Sequence, residues 1–121
     1  MKNQTYRMTM LYDFYGELLT DRQKEFFDLY YNEDLSLGEI AENNGISRQG
    51  VRDVIVRAEA TMLEFEDKTG LIRRFQQMQD NINTIVESAA ELKTINYRQF
   101  ESRELDSLAE RIAAAAAGLK E

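Results

Sequence analysis

Cysteine, histidine, proline and tryptophan are all absent from this 121-residue chain, and glycine occurs only 6 times. Without Cys or His there is no disulfide, no thiolate nucleophile, no imidazole base and almost no route to a zinc site. Any catalyst would have to work through carboxylates, Lys, Tyr or Ser, so no enzymatic centre, metal or cofactor is expected. The lack of proline leaves long helices uninterrupted, and nothing in the chain reads as a Gly/Ser-rich or Pro-rich linker, which predicts an all-α protein. No apolar run approaches the ~20 residues of a membrane span, and the opening Met1-Lys2-Asn3-Gln4-Thr5 precedes no signal-peptide core. A cytoplasmic protein with no membrane role is the expectation. Positive charge is also scarce: 15 basic against 22 acidic residues give a net charge of -7, the reverse of what a protein resting on phosphates usually carries. The acidity is spread evenly, -4 over residues 1–60 (7 basic, 11 acidic) and -3 over residues 61–121 (8 basic, 11 acidic).

Spacings of three and four place Met8, Leu11, Tyr12, Tyr15, Leu18 and Leu19 on one face of a first helix over residues 5–19. Thr20 with Gln23 is a capping-box pattern opening a second helix, whose buried face is Phe26, Phe27, Leu29, Tyr30 and Tyr31. Ser36 caps a short third helix that stops at Asn44-Gly45, and Ser47 caps a fourth that keeps helical spacing through Val51, Val54, Ile55, Ala58, Met62 and Phe65 to Asp67. Thr69-Gly70 offers its stop. The aromatic residues from Tyr6 to Tyr31 could stack on bases, but at helical spacing they read as core.

Beyond Gly70 the pattern narrows. Phe75, Met78, Ile82, Ile85, Ala89 and Leu92 recur at intervals of three and four, the seam of a coiled coil. It serves either as a dimer interface or as the face on which a last helix packs back. That last helix, from about Gln99, carries Leu105, Leu108, Ile112, Ala115 and Leu119, and ends in five alanines, Ala113 to Ala117, good helix formers and poor core fillers. Two domains are expected, 1–68 and 69–121.

Residues 37–56 meet the spatial demands of a helix-turn-helix. Ala41 is small where two helices cross, Gly45 supplies the turn, and Ile40, Ile46, Val51 and Val54 lock the pair into one core. Ser47 caps the second helix at the end that would enter a major groove. Ser47, Arg48, Gln49, Arg52 and, further along, Arg57 suit guanine edges, amide readout and phosphates. The competing reading is surface ion pairing of the three arginines with Asp53 and Glu59, which contributes little. Over residues 36–61 the charge is -1, from 3 basic and 4 acidic residues, so few counterions would be released. Gly45 and Gly50 share the spacing of a phosphate-binding loop, but Val51-Arg52 follows where Lys and Ser or Thr are needed. The carboxylate groups Glu33-Asp34 and Glu64-Glu66-Asp67 sit at helix ends in solvated settings and carry no sign of catalysis.

The block from Leu19-Thr20-Asp21-Arg22-Gln23 through Ser36-Leu37-Gly38-Glu39-Ile40-Ala41 to Gly45-Ile46-Ser47-Arg48-Gln49-Gly50-Val51-Arg52 resembles the fourth conserved region of bacterial sigma factors, which reads the upstream promoter element. Gly50 and Asp53 depart from it, standing where that pattern has Arg and Gln. Over residues 7 to about 75 the chain more closely resembles the YlxM family, through Arg7-Met8, Leu11-Tyr12-Asp13-Phe14-Tyr15-Gly16, Leu29-Tyr30-Tyr31, Glu33-Asp34, Ser36-Leu37, Glu39-Ile40-Ala41 and Ser47-Arg48-Gln49-Gly50-Val51. These small bacterial helix-turn-helix proteins are usually encoded beside signal recognition particle GTPase genes. The resemblance implies a cytoplasmic, sigma-like helix-turn-helix homodimer acting in or regulating the signal recognition particle pathway. DNA is its expected partner, with the particle RNA and the particle GTPase as others, and Phe75, Met78, Ile82, Ile85 and Leu92 are the expected dimer interface. The alternative is a protein-binding adaptor of that GTPase, whose basic surface the acidic chain would complement.

Overall fold

A computed structural model describes residues 5–120, which form six helices and, among the described residues, no strand. The helices are α1 (Thr5–Tyr15), α2 (Asp21–Tyr31), α3 (Leu37–Asn44), α4 (Arg48–Thr69), α5 (Leu71–Ile95) and α6 (Arg103–Gly118). They divide into two compact units, one reaching to Ile72 and the other starting at Arg73.

In the first unit α4 is the central element, and α1, α2 and α3 all pack on it. Its buried stripe is Val51, Ile55, Ala58 and Met62, and these meet Leu11, Phe26, Phe27 and Ile40 in one apolar cluster. Burying a side chain of this size is worth about 1.5–3 kcal/mol. The aromatic residues are core: Tyr12 stacks on Phe27 at 4.7 Å and 7°, and Phe27 lies 4.5 Å from Tyr31. Tyr6 is the exception, exposed at 77%.

The first helix is shorter than its periodicity suggested. After Tyr15 the chain tightens into a 3-10 turn, Gly16–Leu18, closed by the Leu19 N–H donating to the Gly16 carbonyl. That change of pitch rotates Leu18 out to 61% exposure while Leu19 stays buried. The Tyr15 hydroxyl is then held beside the end of α4, donating to Glu66 Oε1 at 2.6 Å and accepting from the Thr69 hydroxyl at 2.6 Å. Glu66 Oε1 also accepts the Ile72 N–H at 2.9 Å, and Gly70 adopts the left-handed conformation between the two helices.

The second unit is an antiparallel helical hairpin. Ile82, Ala89 and Asn96 of α5 and the turn that follows are buried, as are Ala109 and Ala116 of α6, with Val86, Lys93, Asp106 and Ala113 half-buried. Lys93 crosses from one helix to the other, donating to Glu110 Oε1 at 3.0 Å with Asp106 at 3.9 Å. A π-helical turn, Asn96–Phe100, leads to Glu101 in the left-handed conformation. There the Asn96 side chain donates to the Ser102 carbonyl at 2.7 Å and accepts the Ser102 N–H at 2.9 Å, and Ser102 caps α6. Gln99 therefore lies in the turn, and the last helix begins four residues later than expected.

The hairpin also divides the expected seam. Of Phe75, Met78, Ile82, Ile85, Ala89 and Leu92, only Ile82 and Ala89 are buried. The reason is the partner: α6 presents alanines, Ala109, Ala113 and Ala116, on its packed face, so the residues thought poor core fillers are the ones that pack. Left at the surface are Leu71, Phe75, Met78, Ile85, Leu92 and Ile95 on α5, with Leu105, Leu108, Ile112 and Leu119 on α6.

Candidate nucleic-acid interface

The chain builds its helix-turn-helix from local signals. Ser36 Oγ accepts the Glu39 N–H at 3.1 Å while Glu39 Oε1 accepts the Ser36 N–H at 3.1 Å, a closed capping box that starts α3. The helix ends on Gly45 at φ 67°, whose N–H returns to the Ala41 carbonyl, joined there by the Ile46 N–H at 3.2 Å. Asn44 Nδ2 adds a hydrogen bond to the Ile40 carbonyl at 2.8 Å. These bonds satisfy the last carbonyls of α3 and set the direction in which α4 leaves. Ser47 then caps α4 by accepting the Gly50 N–H at 3.0 Å. A Cβ at Gly50 would lie 3.2 Å from Ser47 Oγ, so the glycine leaves the cap room.

Ser47, Arg48, Gln49, Arg52 and Arg57 are all exposed. With Val51, Ile55, Ala58 and Met62 facing inward, helical geometry puts Arg48 and Arg52 on one flank of the outward face, one turn apart. Gln49 and Asp53 occupy its centre, and Arg57 stands on the opposite flank. Two of the arginines are therefore brought together and the third is separated from them by an acidic residue. Arg48 lies across the third helix, its Nε only 3.6 Å from where a Gly38 Cβ would be; a larger residue at Gly38 would crowd it.

The ion pairs weighed for these arginines do not form. Asp53 Oδ1 accepts from Gln49 Nε2 at 2.9 Å, and Glu59 Oε2 accepts the Tyr31 hydroxyl at 2.8 Å. Among the described residues Arg48, Arg52 and Arg57 have no carboxylate partner. Burial, with the Glu59 hydrogen bond next, pushes the Tyr31 phenol well above its ordinary range, so it stays a donor and keeps Glu59 occupied. The role of Asp53 toward Gln49 was readable from their four-residue spacing. The role of Tyr31 was not, because it comes from another helix.

No group of acidic, His or Cys side chains that could hold a metal occurs among the described residues, nor a helix long and apolar enough to cross a membrane.

Known proteins resemble the chain over most of its length. A UPF0122 protein of Thermoanaerobacter sp. (strain X514) is 54% identical over 78 residues, covering 64% of this chain and 67% of the relative. A UPF0122 protein of Desulforamulus reducens is 46% identical over 81 residues, 67% of this chain and 69% of the relative. One from Bacillus thuringiensis (strain Al Hakam) is 45% identical over 96 residues, 79% of this chain and 87% of the relative. Residues 2–101 match the model of the UPF0122 family, described as "Putative helix-turn-helix protein, YlxM / p13 like", and the chain belongs to that family.

Proposed function

We propose that the protein is a DNA-binding regulatory or accessory factor that inserts the N-terminal turn of α4 into a major groove. Three exposed arginines on α4 that have no carboxylate partner among the described residues are the observation that carries this reading. A guanidinium not committed to a carboxylate is available to a phosphate or a guanine edge at no cost of breaking an internal pair. In this reading Arg48 and Arg52 follow one backbone and Arg57 reaches the other side of the groove. Gln49 reads a base edge, and Ser47 holds the helix N-terminus toward phosphate while its hydroxyl hydrogen stays free to donate. Residues 1–68 are the reading domain, and residues 69–121 join two copies, which would set the half-site spacing. Phe75, Met78, Ile85 and Leu92 would supply that interface from α5, while Ile82 supports them from within the hairpin. The resemblance to the YlxM family extends the proposal to a cytoplasmic role in the signal recognition particle pathway.

A second reading is supported by Asp53 at the centre of the face and by the net charge of -7. In it the acidic surface docks on a basic protein, the particle GTPase, and the helix-turn-helix is scaffold. One experiment separates the two. Selection of bound duplexes from a random pool, followed by anisotropy titration, is expected to give defined DNA whose affinity falls at least tenfold in the double variant Arg48→Ala, Arg52→Ala. Defined duplex binding that survives the double variant would refute the α4 mechanism. No enriched duplex, with the GTPase retained after nuclease treatment of a pull-down, would establish the adaptor reading.

A further inference from the structure

We infer that the second unit is half of a four-helix bundle, completed by a second copy of the same chain through a face to which α6 contributes as much as α5. This rests on the dimer proposed above and changes what makes it: the interface is two helices wide rather than a single coiled-coil strand.

The argument begins with register. The buried or half-buried residues of the hairpin seam are Ile82, Val86, Ala89, Lys93 and Asn96 on one side, and Ser102, Asp106, Ala109, Ala113 and Ala116 on the other, each series stepping by four and three. Both helices carry a second stripe beside the first. On α5 it runs through Met78, Asn81, Ile85, Ser88, Leu92 and Ile95, apolar at four of six positions, and on α6 through Leu105, Leu108, Ile112, Ala115 and Leu119, again at alternating three and four. A helix in a simple hairpin needs one apolar stripe, whereas a helix with two adjacent stripes is built to contact two neighbours, as in a four-helix bundle.

The two spare stripes also lie on one side. Met78, Ile85 and Leu92 are each followed four residues later by a buried seam position, and Leu105 and Ile112 stand in the same relation to Ala109 and Ala116. The two-fold that exchanges antiparallel helices is perpendicular to their common plane, so equivalent positions rise on the same side of that plane. The hairpin therefore offers one uncharged face, apolar except at Asn81 and Ser88.

Size and charge select the occupant. The eight large residues of the two stripes keep between 36% and 60% of their surface exposed, which leaves about 600 Å² of apolar area. That is at the upper limit for a monomer surface and close to the ~800 Å² per partner of a stable interface once the flanking atoms are counted. In a chain that is 31% charged, none of the eleven stripe positions is Asp, Glu, Lys or Arg. A basic partner would have no carboxylate on the face to meet, while a second acidic chain can approach with no like charges opposed. An isologous contact around a two-fold fits a face of this symmetry. Residues matching the family model end at 101, so α6 and its half of the face lie beyond them.

The test is sedimentation equilibrium of the full chain over a wide concentration range, with far-UV circular dichroism to confirm that each variant is folded. The wild type is expected at twice the chain mass of 14.1 kDa. Ile112→Asp is expected to give monomers with unchanged helicity, as is Ile85→Asp, while Asn83→Asp, on the outer side of α5, should remain dimeric. A monomeric wild type overturns both this inference and the dimer it rests on. A dimeric wild type in which folded Ile112→Asp stays dimeric overturns the two-helix face alone, leaving an α5 interface. Should Ile112→Asp lose helicity, Ile112→Ala replaces it, and weakened dimerisation with full helicity is then the expected result, unchanged dimerisation the refuting one.

Discussion

Replacing Gly45 by alanine tests whether the turn between α3 and α4 depends on backbone conformation alone. Gly45 sits at φ 67°, ψ 29°, and a Cβ placed there meets nothing within 4 Å. The penalty is then purely that of an L-residue in the left-handed region, about 1–2 kcal/mol. Alanine also restricts the unfolded chain, which offsets about 0.4–1 kcal/mol. The expected net loss is about 1 kcal/mol, and because asparagine tolerates this region better, Gly45→Asn should lose about half as much. For a unit of this size 1 kcal/mol corresponds to a drop in Tm of roughly 4–8 °C. Urea titration followed by circular dichroism should show a lower midpoint with an unchanged slope. A loss above about 3 kcal/mol would mean that the side chain clashes, contrary to the open space seen. No loss, or asparagine proving worse than alanine, would mean that the turn does not use the left-handed conformation at all.

Three further outcomes are expected. Tyr15→Phe removes the hydroxyl shared by Glu66 and Thr69 but leaves Glu66 the Ile72 N–H, so a loss of about 1–2 kcal/mol is expected by denaturant titration; a neutral change would show that water replaces the hydroxyl without cost. The Tyr15 and Tyr31 phenols are both raised, by burial first and a carboxylate neighbour second. Their contribution is therefore fully present below the unfolded tyrosine pKa of about 10 and is lost as pH climbs from there toward the folded values. Denaturant midpoints measured upward from pH 9 should fall in the wild type and fall less in Tyr31→Phe, and parallel curves would contradict the assignment. Under the DNA-binding proposal, Asp53→Asn removes a negative charge from the centre of the α4 face. A unit charge ~7 Å from a phosphate in water is worth about 0.6 kcal/mol, so duplex affinity should rise roughly threefold at low salt, and a decrease would show that the carboxylate contacts a base.

The features that could be read residue by residue are those governed by neighbours within a few positions. The capping boxes at Thr20 and Ser36, the Ser47 cap, the left-handed stop at Gly45 and the buried stripe of α4 all appear where local chemistry places them, because a cap or a turn is satisfied by atoms two to five residues away. The helix-turn-helix follows from these, since its geometry is a turn and two short helices. Interactions that depend on distant segments were not legible. The sequence around Glu59 said nothing of Tyr31, which donates to it from another helix, whereas the two-residue spacing of Arg57 and Glu59 already turns them to different sides of α4. Tyr15 and Glu66 lie 51 residues apart, and only folding brings them to 2.6 Å. The division on α5 is of the same kind: periodicity identified an apolar seam from Phe75 to Leu92, but both sides of that seam satisfy helical spacing. Which side is buried depends on the partner, and α6, with alanines on one face and leucines on the next, packs through its alanines and leaves the larger residues of both helices at the surface.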